Sequence, residues 1–447
     1  MKAFSREPRR DHMFLNMGPA HPAMHGIIKL QLELDGETVV GSDVEIGYLH
    51  RGFEKTCENR TYTQVVPYAD RLNYVSPLIN EVGYCLTVEK LFGLSVTRRA
   101  QYIRVLMSEI SRITDHLTSV GASAMELGAF SAFLYMIKAR EILYDLIENV
   151  TGARIMPNYI RIGGLKSDLP EGFEASARAA LKEVRQILAE VHGLLTRNRI
   201  FVDRLSGLGV ISAEDAVSHG FTGPCLRSTG VGYDVRKAEP YLVYDRLDFD
   251  IPVGETGDNY DRYLVRMEEM EQSLRLIEQC LAQMPQGAYQ VDLDGREMTP
   301  AQVIEEMKLK PELEPIREAR IPLSPDLEGT EKRNVQNVVV RDKAVVFPAK
   351  EDTYGNIEGL MQHFKLVMYG HGIRPPKGEV YQAVEGGNGE LGFYLVSDGT
   401  DMPFRLRCRG PCFHLMSGLS RMIEGQTVAD VVPTFGSINM IGGELDR

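Results

Sequence analysis

The chain contains no tryptophan, only 6 cysteines in 447 residues, and fewer positive than negative side chains. Long apolar runs are missing as well. Cys57, Cys85, Cys225, Cys280, Cys408 and Cys412 are too few and too scattered for a disulfide framework in a chain this long, so reduced thiols in a cytoplasmic setting are expected. Cys408-Arg-Gly-Pro-Cys412 is the one close pair. Three residues intervene instead of two, and no second pair completes four ligands, so no metal or iron–sulfur site held by this chain is expected. The longest stretch free of Lys, Arg, Asp and Glu runs from Met13 to Ile28, interrupted by Pro19, His21, Pro22 and His25. A spanning helix needs about 20 mostly apolar residues, so none is predicted, and membrane association has to come through a partner. The charged opening MKAFSREPRRDH lacks the apolar core of a secretory signal. Lys and Arg number 50 against 62 Asp and Glu, a net charge of −12 that argues against nucleic acid as a partner.

What is present is an ordinary globular mixture, 43% hydrophobic and 25% charged, with ample material for a core. The N-terminal part is expected to open with a loop. Ile28-Lys-Leu30-Gln-Leu32-Glu-Leu34 then alternates as a half-buried strand does, Asp35-Gly36 suits a hairpin turn, and Thr38-Val39-Val40 can return. A second hairpin is expected where Val380–Val384 and Gly392–Val396 flank Gly386-Gly387-Asn388-Gly389, and Phe404–Arg409 can add a strand. Between the two, apolar residues recur at three and four. One stripe is Ile103, Leu106, Met107, Ile110, Ile113 and Leu117, a second spans Ala177 to Leu195, and a third spans Tyr263 to Leu281. Phe130–Val150 is a fuller apolar helix, and helix resumes around Ile357, Leu360, Met361 and Phe364.

The expected class is α+β, mainly α: one unit over residues 1–447, a helical bundle with small antiparallel sheets from both ends of the chain. Within it, 1–75 forms a loop and sheet, 76–290 a helical core and 350–447 a C-terminal helix and sheet. Residues 292–347 are charged and broken by Pro300, Pro311, Pro315, Pro322 and Pro325, which reads as an inserted surface segment.

Gly387-Asn-Gly389-Glu-Leu-Gly392 satisfies the G-x-G-x-x-G spacing of dinucleotide loops. That pattern has meaning between a strand and a helix, and here a strand, Phe393-Tyr-Leu-Val, follows. A hairpin turn is the expectation, and NAD is not expected to bind this chain. Asn16-Met-Gly-Pro-Ala-His21-Pro-Ala-Met-His25-Gly26 carries two histidines four apart, but its prolines and glycine oppose a helix that would pair them on a metal. A tight loop presenting one or two imidazoles remains. In the stretch from Ile46 to Tyr74, aromatic, arginine and carboxylate residues interleave without clean periodicity. An ion-pair network at a helix start accounts for this without a ligand; arginines beside a buried redox centre would instead stabilise added negative charge.

Gly18-Pro-Ala-His21-Pro-Ala-Met-His25-Gly26 and Gly47-Tyr-Leu-His50-Arg51-Gly52-Phe-Glu54-Lys55 closely resemble the D-type subunit family of the proton-pumping NADH–quinone oxidoreductases, respiratory complex I. Pro67-Tyr-Ala-Asp70-Arg71-Leu-Asn-Tyr74-Val-Ser, Tyr159-Ile-Arg161-Ile-Gly-Gly164, Ser212-Ala-Glu-Asp215 and Gly443-Glu-Leu-Asp-Arg447 fit the same family. The resemblance covers nearly the whole chain apart from the inserted segment. It implies the fold of the large subunit of nickel–iron hydrogenases, without the two Cys-x-x-Cys pairs that hold the metal there. It also implies that the vacated site is a quinone pocket beside an iron–sulfur cluster carried by the adjacent B-type subunit. FMN would sit elsewhere in the complex, and neither cluster nor nucleotide would bind this chain.

By the same resemblance, His25 and Tyr74 match the pair that contacts the quinone headgroup, and Arg51 and Arg71 match arginines close to the terminal cluster. Glu126 stands where the family commonly has Asp as carboxylate partner of the quinone-site histidine. Met156 stands where a histidine is associated with the pH dependence of the cluster potential, and a thioether cannot titrate. The B-type and C-type subunits and the H-type membrane subunit are the implied neighbours, with the chain peripheral on the cytoplasmic face of the inner membrane. A related complex fed by ferredoxin would use the equivalent chain, and a purely structural role with a vestigial pocket is the rival of a different class.

Overall fold

The computed structural model describes residues 12–287, 289, 345–348 and 350–447. The inserted segment expected over 292–347 lies outside the described residues except for 345–347.

The N-terminal sheet has the order β1-β2-β3, with β1 Met13–Met17, β2 Lys29–Asp35 and β3 Thr38–Glu45, all antiparallel. Leu30, Leu32 and Leu34 point into the core, as their alternation predicts. The turn falls one residue later than Asp35-Gly36, because Asp35 pairs with Thr38 and Gly36 supplies the positive φ of 62°. β1 corrects the expected opening loop. Met13-Phe-Leu-Asn-Met does not alternate, because this edge strand buries little beyond Met17.

Among the described residues seven longer helices follow: α1 Pro77–Phe92, α2 Arg98–Glu126, α3 Phe130–Thr151, α4 Phe173–Leu195, α5 Asn259–Gln283, α6 Ile357–Val367 and α7 Val428–Ile438. The Thr97 hydroxyl caps α2 by accepting from the Ala100 N–H, Asp258 caps α5 through Asp261, and left-handed Gly93 and Gly152 end α1 and α3. Helix α2 is central, packing against α1, α3, α5 and α7. Its stripe Ile103–Leu117 is fully buried, and so are Arg104, Glu109, Arg112, Asp115 and His116 on its other faces. The polar face therefore meets protein rather than water, held by ion pairs and, at Asp115, by hydrogen bonds. Glu109 holds Arg112 and Arg236 and accepts from Tyr244 at 2.6 Å and Ser273 at 2.7 Å, while His116 reaches Glu269 at 2.9 Å. The apolar stripe of α6 behaves differently, with Ile357, Leu360, Met361 and Phe364 all exposed.

A two-stranded ribbon joins β4 Ile160–Arg161 to β5 Gly164–Leu165. The C-terminal sheet pairs β6 Gly378–Glu385 with β7 Glu390–Ser397 and β7 with β8 Arg405–Arg409. The glycine-rich β6–β7 turn closes through the Gly386 N–H donating to the Gly389 carbonyl at 2.7 Å. A side chain on Gly387 would collide with the Asp115 carboxylate, and one on Gly389 with Thr222. Close packing, of Gly387 against α2 and of Gly389 against the Thr222–Gly223 segment, thus accounts for these glycines, in a turn that leads into a strand.

Candidate functional site

The C-terminal residues 438–447 bring together segments that are far apart in the chain. Gly26, after His25, lies against Met440: a methyl group on Gly26 would sit 2.9 Å from Met440 Cε. On Gly443 it would sit 3.2 Å from the Tyr74 ring, and on Gly442 3.1 Å from Leu49. The Asp446 carboxylate accepts from the N–H groups of Gly47 at 2.9 Å and Leu49 at 2.8 Å, and His50 Nδ1 donates to the Asp446 carbonyl at 2.6 Å. The histidine loop, the Gly47–Arg51 loop and the Arg71–Tyr74 loop are all arranged around this one tail.

His25 Nε2 lies 2.7 Å from Glu126 Oε1, with side-chain exposures of 27% and 7%. The approach is that of an ion pair. Neither Glu126 oxygen has an aligned hydrogen-bond donor, so the angle rather than the distance is imperfect. The longer arm of Glu126, at the last residue of α2, fits because α7 presents Gly436 opposite it, where any side chain would collide with Glu126 Oε2. His21 takes no part in this pairing; it is exposed and accepts from its neighbour Ala23 N–H.

Tyr74 is half-buried, and burial pushes its phenol up, helped by the nearby Cys412 and Asp115. Its loop is pinned by Asp115, which is fully buried on α2. Asp115 Oδ2 accepts from Asn73 Nδ2 and Ser76 Oγ, both at 2.8 Å, and Oδ1 accepts from Asn439 Nδ2 at 2.8 Å. Three donors from two distant segments end on one carboxylate. Cys412, at the heart of the same region, is a buried thiol within 3.4 Å of Asn388 Nδ2 and the Ile441 N–H.

Arg51 and Arg71 are exposed neighbours. Arg51 Nη2 donates to the Arg71 carbonyl at 2.5 Å, and Arg71 donates to the Pro67 carbonyl. Among the described residues neither has a carboxylate within ion-pair distance. Partial burial and the adjacent Arg71 charge lower the Arg51 pKa. The two cations thus stand side by side at the surface. Met156 lies in the loop before β4 with φ 56°, followed by Asn158 at φ 46°. A separate polar cleft of about 420 Å³ is lined by His50, Glu54, Arg405, Arg407 and Arg447, among others, and neither His25 nor Tyr74 reaches it.

Asp115, Gly436, Glu444 and Asp446 were not singled out by sequence reasoning. For Glu444 and Asp446 a signal was available, since Gly443-Glu-Leu-Asp-Arg447 is part of the family resemblance. Asp115 reads in the sequence as one polar residue on an amphipathic helix.

Comparison with known proteins agrees with this arrangement. The profile of the respiratory-chain NADH dehydrogenase 49 Kd subunit matches residues 126–319 and 327–447. The D-type NADH-quinone oxidoreductase subunit of Myxococcus xanthus is 48% identical over 97% of this chain and 92% of its own. A D-type subunit of Sorangium cellulosum is 49% identical over 97% of this chain and 95% of its own. A Bdellovibrio bacteriovorus relative, named as a combined C/D form, is 45% identical over 97% of this chain and 68% of its own. The chain belongs to the 49 kDa, D-type subunit family of respiratory complex I, the multi-subunit NADH:quinone oxidoreductase, whose hydrogenase-large-subunit-like α+β fold it has. Its partners are therefore other subunits of that complex, and among the described residues no helix is long and apolar enough to cross a membrane.

Proposed function

We propose that this chain forms the quinone-reducing site of its complex, with His25 and Tyr74 as the groups that meet the headgroup. The observation that supports this reading most is the convergence of the His25–Glu126 pair and the Asp115-pinned Tyr74 loop on the single tail 438–447. Two-electron reduction turns both quinone oxygens into hydroxyls. A phenol and an imidazolium can each donate a hydrogen bond and then a proton. Glu126 orients the imidazole and opposes its charge, and Asp115 positions Tyr74 through Asn73 and Ser76.

Electrons would arrive from the terminal iron–sulfur cluster of the B-type subunit, which the uncompensated Arg51–Arg71 pair would face, adding positive charge that raises its potential. The C-type subunit is a natural neighbour, since a relative is named as a combined C/D form. The H-type subunit would supply the membrane contact, leaving this chain peripheral on the cytoplasmic side. A photoreactive quinone analogue applied to the assembled complex tests the placement. Label is expected on peptides carrying His25 or Tyr74 and competed away by quinone. Label confined to other segments would contradict it.

A further inference from the structure

Four consecutive residues at the end of α7 each meet a charged side chain. Gly436 lies against Glu126, and Ser437 Oγ accepts from Arg262 Nε at 2.9 Å. The Ile438 carbonyl accepts from Arg266 Nη2 at 3.2 Å, and Asn439 Nδ2 donates to Asp115 Oδ1 at 2.8 Å. Asn439 is also where the helix stops. Its φ of 60° and ψ of 54° are left-handed, and the tail turns away from α7 there.

Arg262 and Arg266 stand one turn apart on α5, both buried, and among the described residues neither has a carboxylate within ion-pair distance. Their acceptors are neutral. Arg262 Nη1 donates to the Gly257 carbonyl at 2.9 Å, and Nη2 to the Gly209 carbonyl at 2.5 Å and Asn259 Oδ1 at 2.7 Å. A side chain on Gly209 would run into Asn259 Oδ1 and Arg262 Nη2, so its absence leaves room for the guanidinium. Burial, with Arg266 acting in the same sense, lowers the Arg262 pKa to about 10, which leaves it charged at neutral pH. Arg266 is less well served. Beyond Ile438 it reaches, among the described residues, only the Arg262 carbonyl at 3.4 Å and Cys225 Sγ at 3.9 Å, and its Nε is buried with no partner. The carbonyl end of α7 favours a cation there, but a buried ion without a counter-charge still costs more than an apolar side chain of the same length.

Asp115 is the opposite case, a fully buried carboxylate that holds three neutral donors and, among the described residues, no cation. The contacts Arg266–Ile438 and Asn439–Asp115 join the two charges through the root of the tail. In a low-dielectric interior, charges arranged in this way act on each other with little screening. We propose that Arg266 is a positioning residue for quinone reduction, and that Arg266 and Asp115 together clamp the Ile438–Asn439 peptide and so fix the direction in which the tail leaves α7. Direction matters because Met440, Gly442 and Gly443 abut Gly26, Leu49 and Tyr74 in turn. Arg262, holding Ser437, braces the same junction one residue earlier. The proposal rests on the reading that His25 and Tyr74 meet the headgroup.

The test uses the assembled complex and reads its thermal midpoint, electron entry from NADH to ferricyanide, and kcat for quinone reduction. Arg266→Met nearly keeps the length of the side chain and removes the charge and the unpartnered N–H. Its midpoint should match or exceed that of the wild type, because a buried ion without a counter-charge has gone. Ferricyanide reduction should be unchanged, while kcat for quinone falls about ten- to a hundredfold, as a small misplacement of a reacting group does. Arg266→Lys keeps the charge and a donor for the Ile438 carbonyl, and it should recover most of that loss. A merely structural arginine would lower midpoint and turnover together in Arg266→Met. That result, failure to assemble included, would overturn the proposal. A stable Arg266→Met complex with wild-type kcat, or an Arg266→Lys complex no better than Arg266→Met, would overturn it too. Tyr74→Phe separates the two readings. Near-normal turnover there overturns the headgroup assignment alone, whereas normal turnover in a stable Arg266→Met complex overturns the clamp alone.

Discussion

Glu126 reaches to within 2.7 Å of His25 across a gap that exists because Gly436 has no side chain. On the proposed reading, the relationship would let a glutamate partner His25 where the resemblance implies a shorter aspartate. The Glu126 carboxylate, carried one methylene further than an aspartate's, occupies the space over α7 that a Cβ on residue 436 would take.

Gly436→Ala should therefore act on His25 from a distance. Overpacking at such a contact costs about 1–3 kcal/mol, and here the group that yields is the end of the Glu126 side chain. Quinone reduction by the assembled complex should fall. Adding Glu126→Asp, which withdraws the carboxylate, should restore part of it. A double variant no better than Gly436→Ala would show that the effect does not run through Glu126.

Asp115→Ala should loosen the Tyr74 loop. It removes the acceptor of Asn73, Ser76 and Asn439, and a buried donor left unpaired costs about 1–3 kcal/mol. The thermal midpoint of the assembled complex should drop, and quinone turnover should drop with it. Unchanged stability would mean that these donors find other partners and that Asp115 does not pin the loop.

Glu444 gives a pH signature. Burial pushes its carboxyl up to about 7, opposed by the Cys412 N–H and Arg447 and assisted by Asp115. The native state then holds more protons than the unfolded state between about pH 4.5 and 7, so stability falls as pH rises through that window and the loss is complete above it. The cost by neutral pH is on the order of 3 kcal/mol. Glu444→Gln keeps the acceptor for Cys412 and removes the ionisation. Its gain over wild type in thermal midpoint should grow from pH 4.5 to 7 and then level off. Parallel profiles would contradict the shift.

Much of the fold was legible in the sequence because the relevant forces are local. The stripes of α2, α4 and α5, the Leu30–Leu34 alternation and the glycine-rich turn before Phe393 each leave a period or a turn signature. Helix α1 did not show itself, because nearly every residue from Pro77 to Phe92 is buried and a helix covered on all sides has no apolar face to detect. The candidate site divided in the same way. His25, Tyr74, Arg51 and Arg71 stood out through linear motifs. Asp115 and Gly436 matter through partners tens to hundreds of residues away. Residue type alone does not carry that information, and a buried acid reads like a solvated one until its neighbours are known.

Tyr74→Phe removes only the phenolic hydroxyl, and so it tests most directly whether Tyr74 donates to the quinone. The assembled variant should still pass electrons from NADH to ferricyanide. Loss of one donor in a water-poor site costs about 2–4 kcal/mol of transition-state stabilisation, so quinone reduction should fall roughly 30- to 1,000-fold. Near-normal quinone turnover in the fully assembled Tyr74→Phe complex would contradict the assignment.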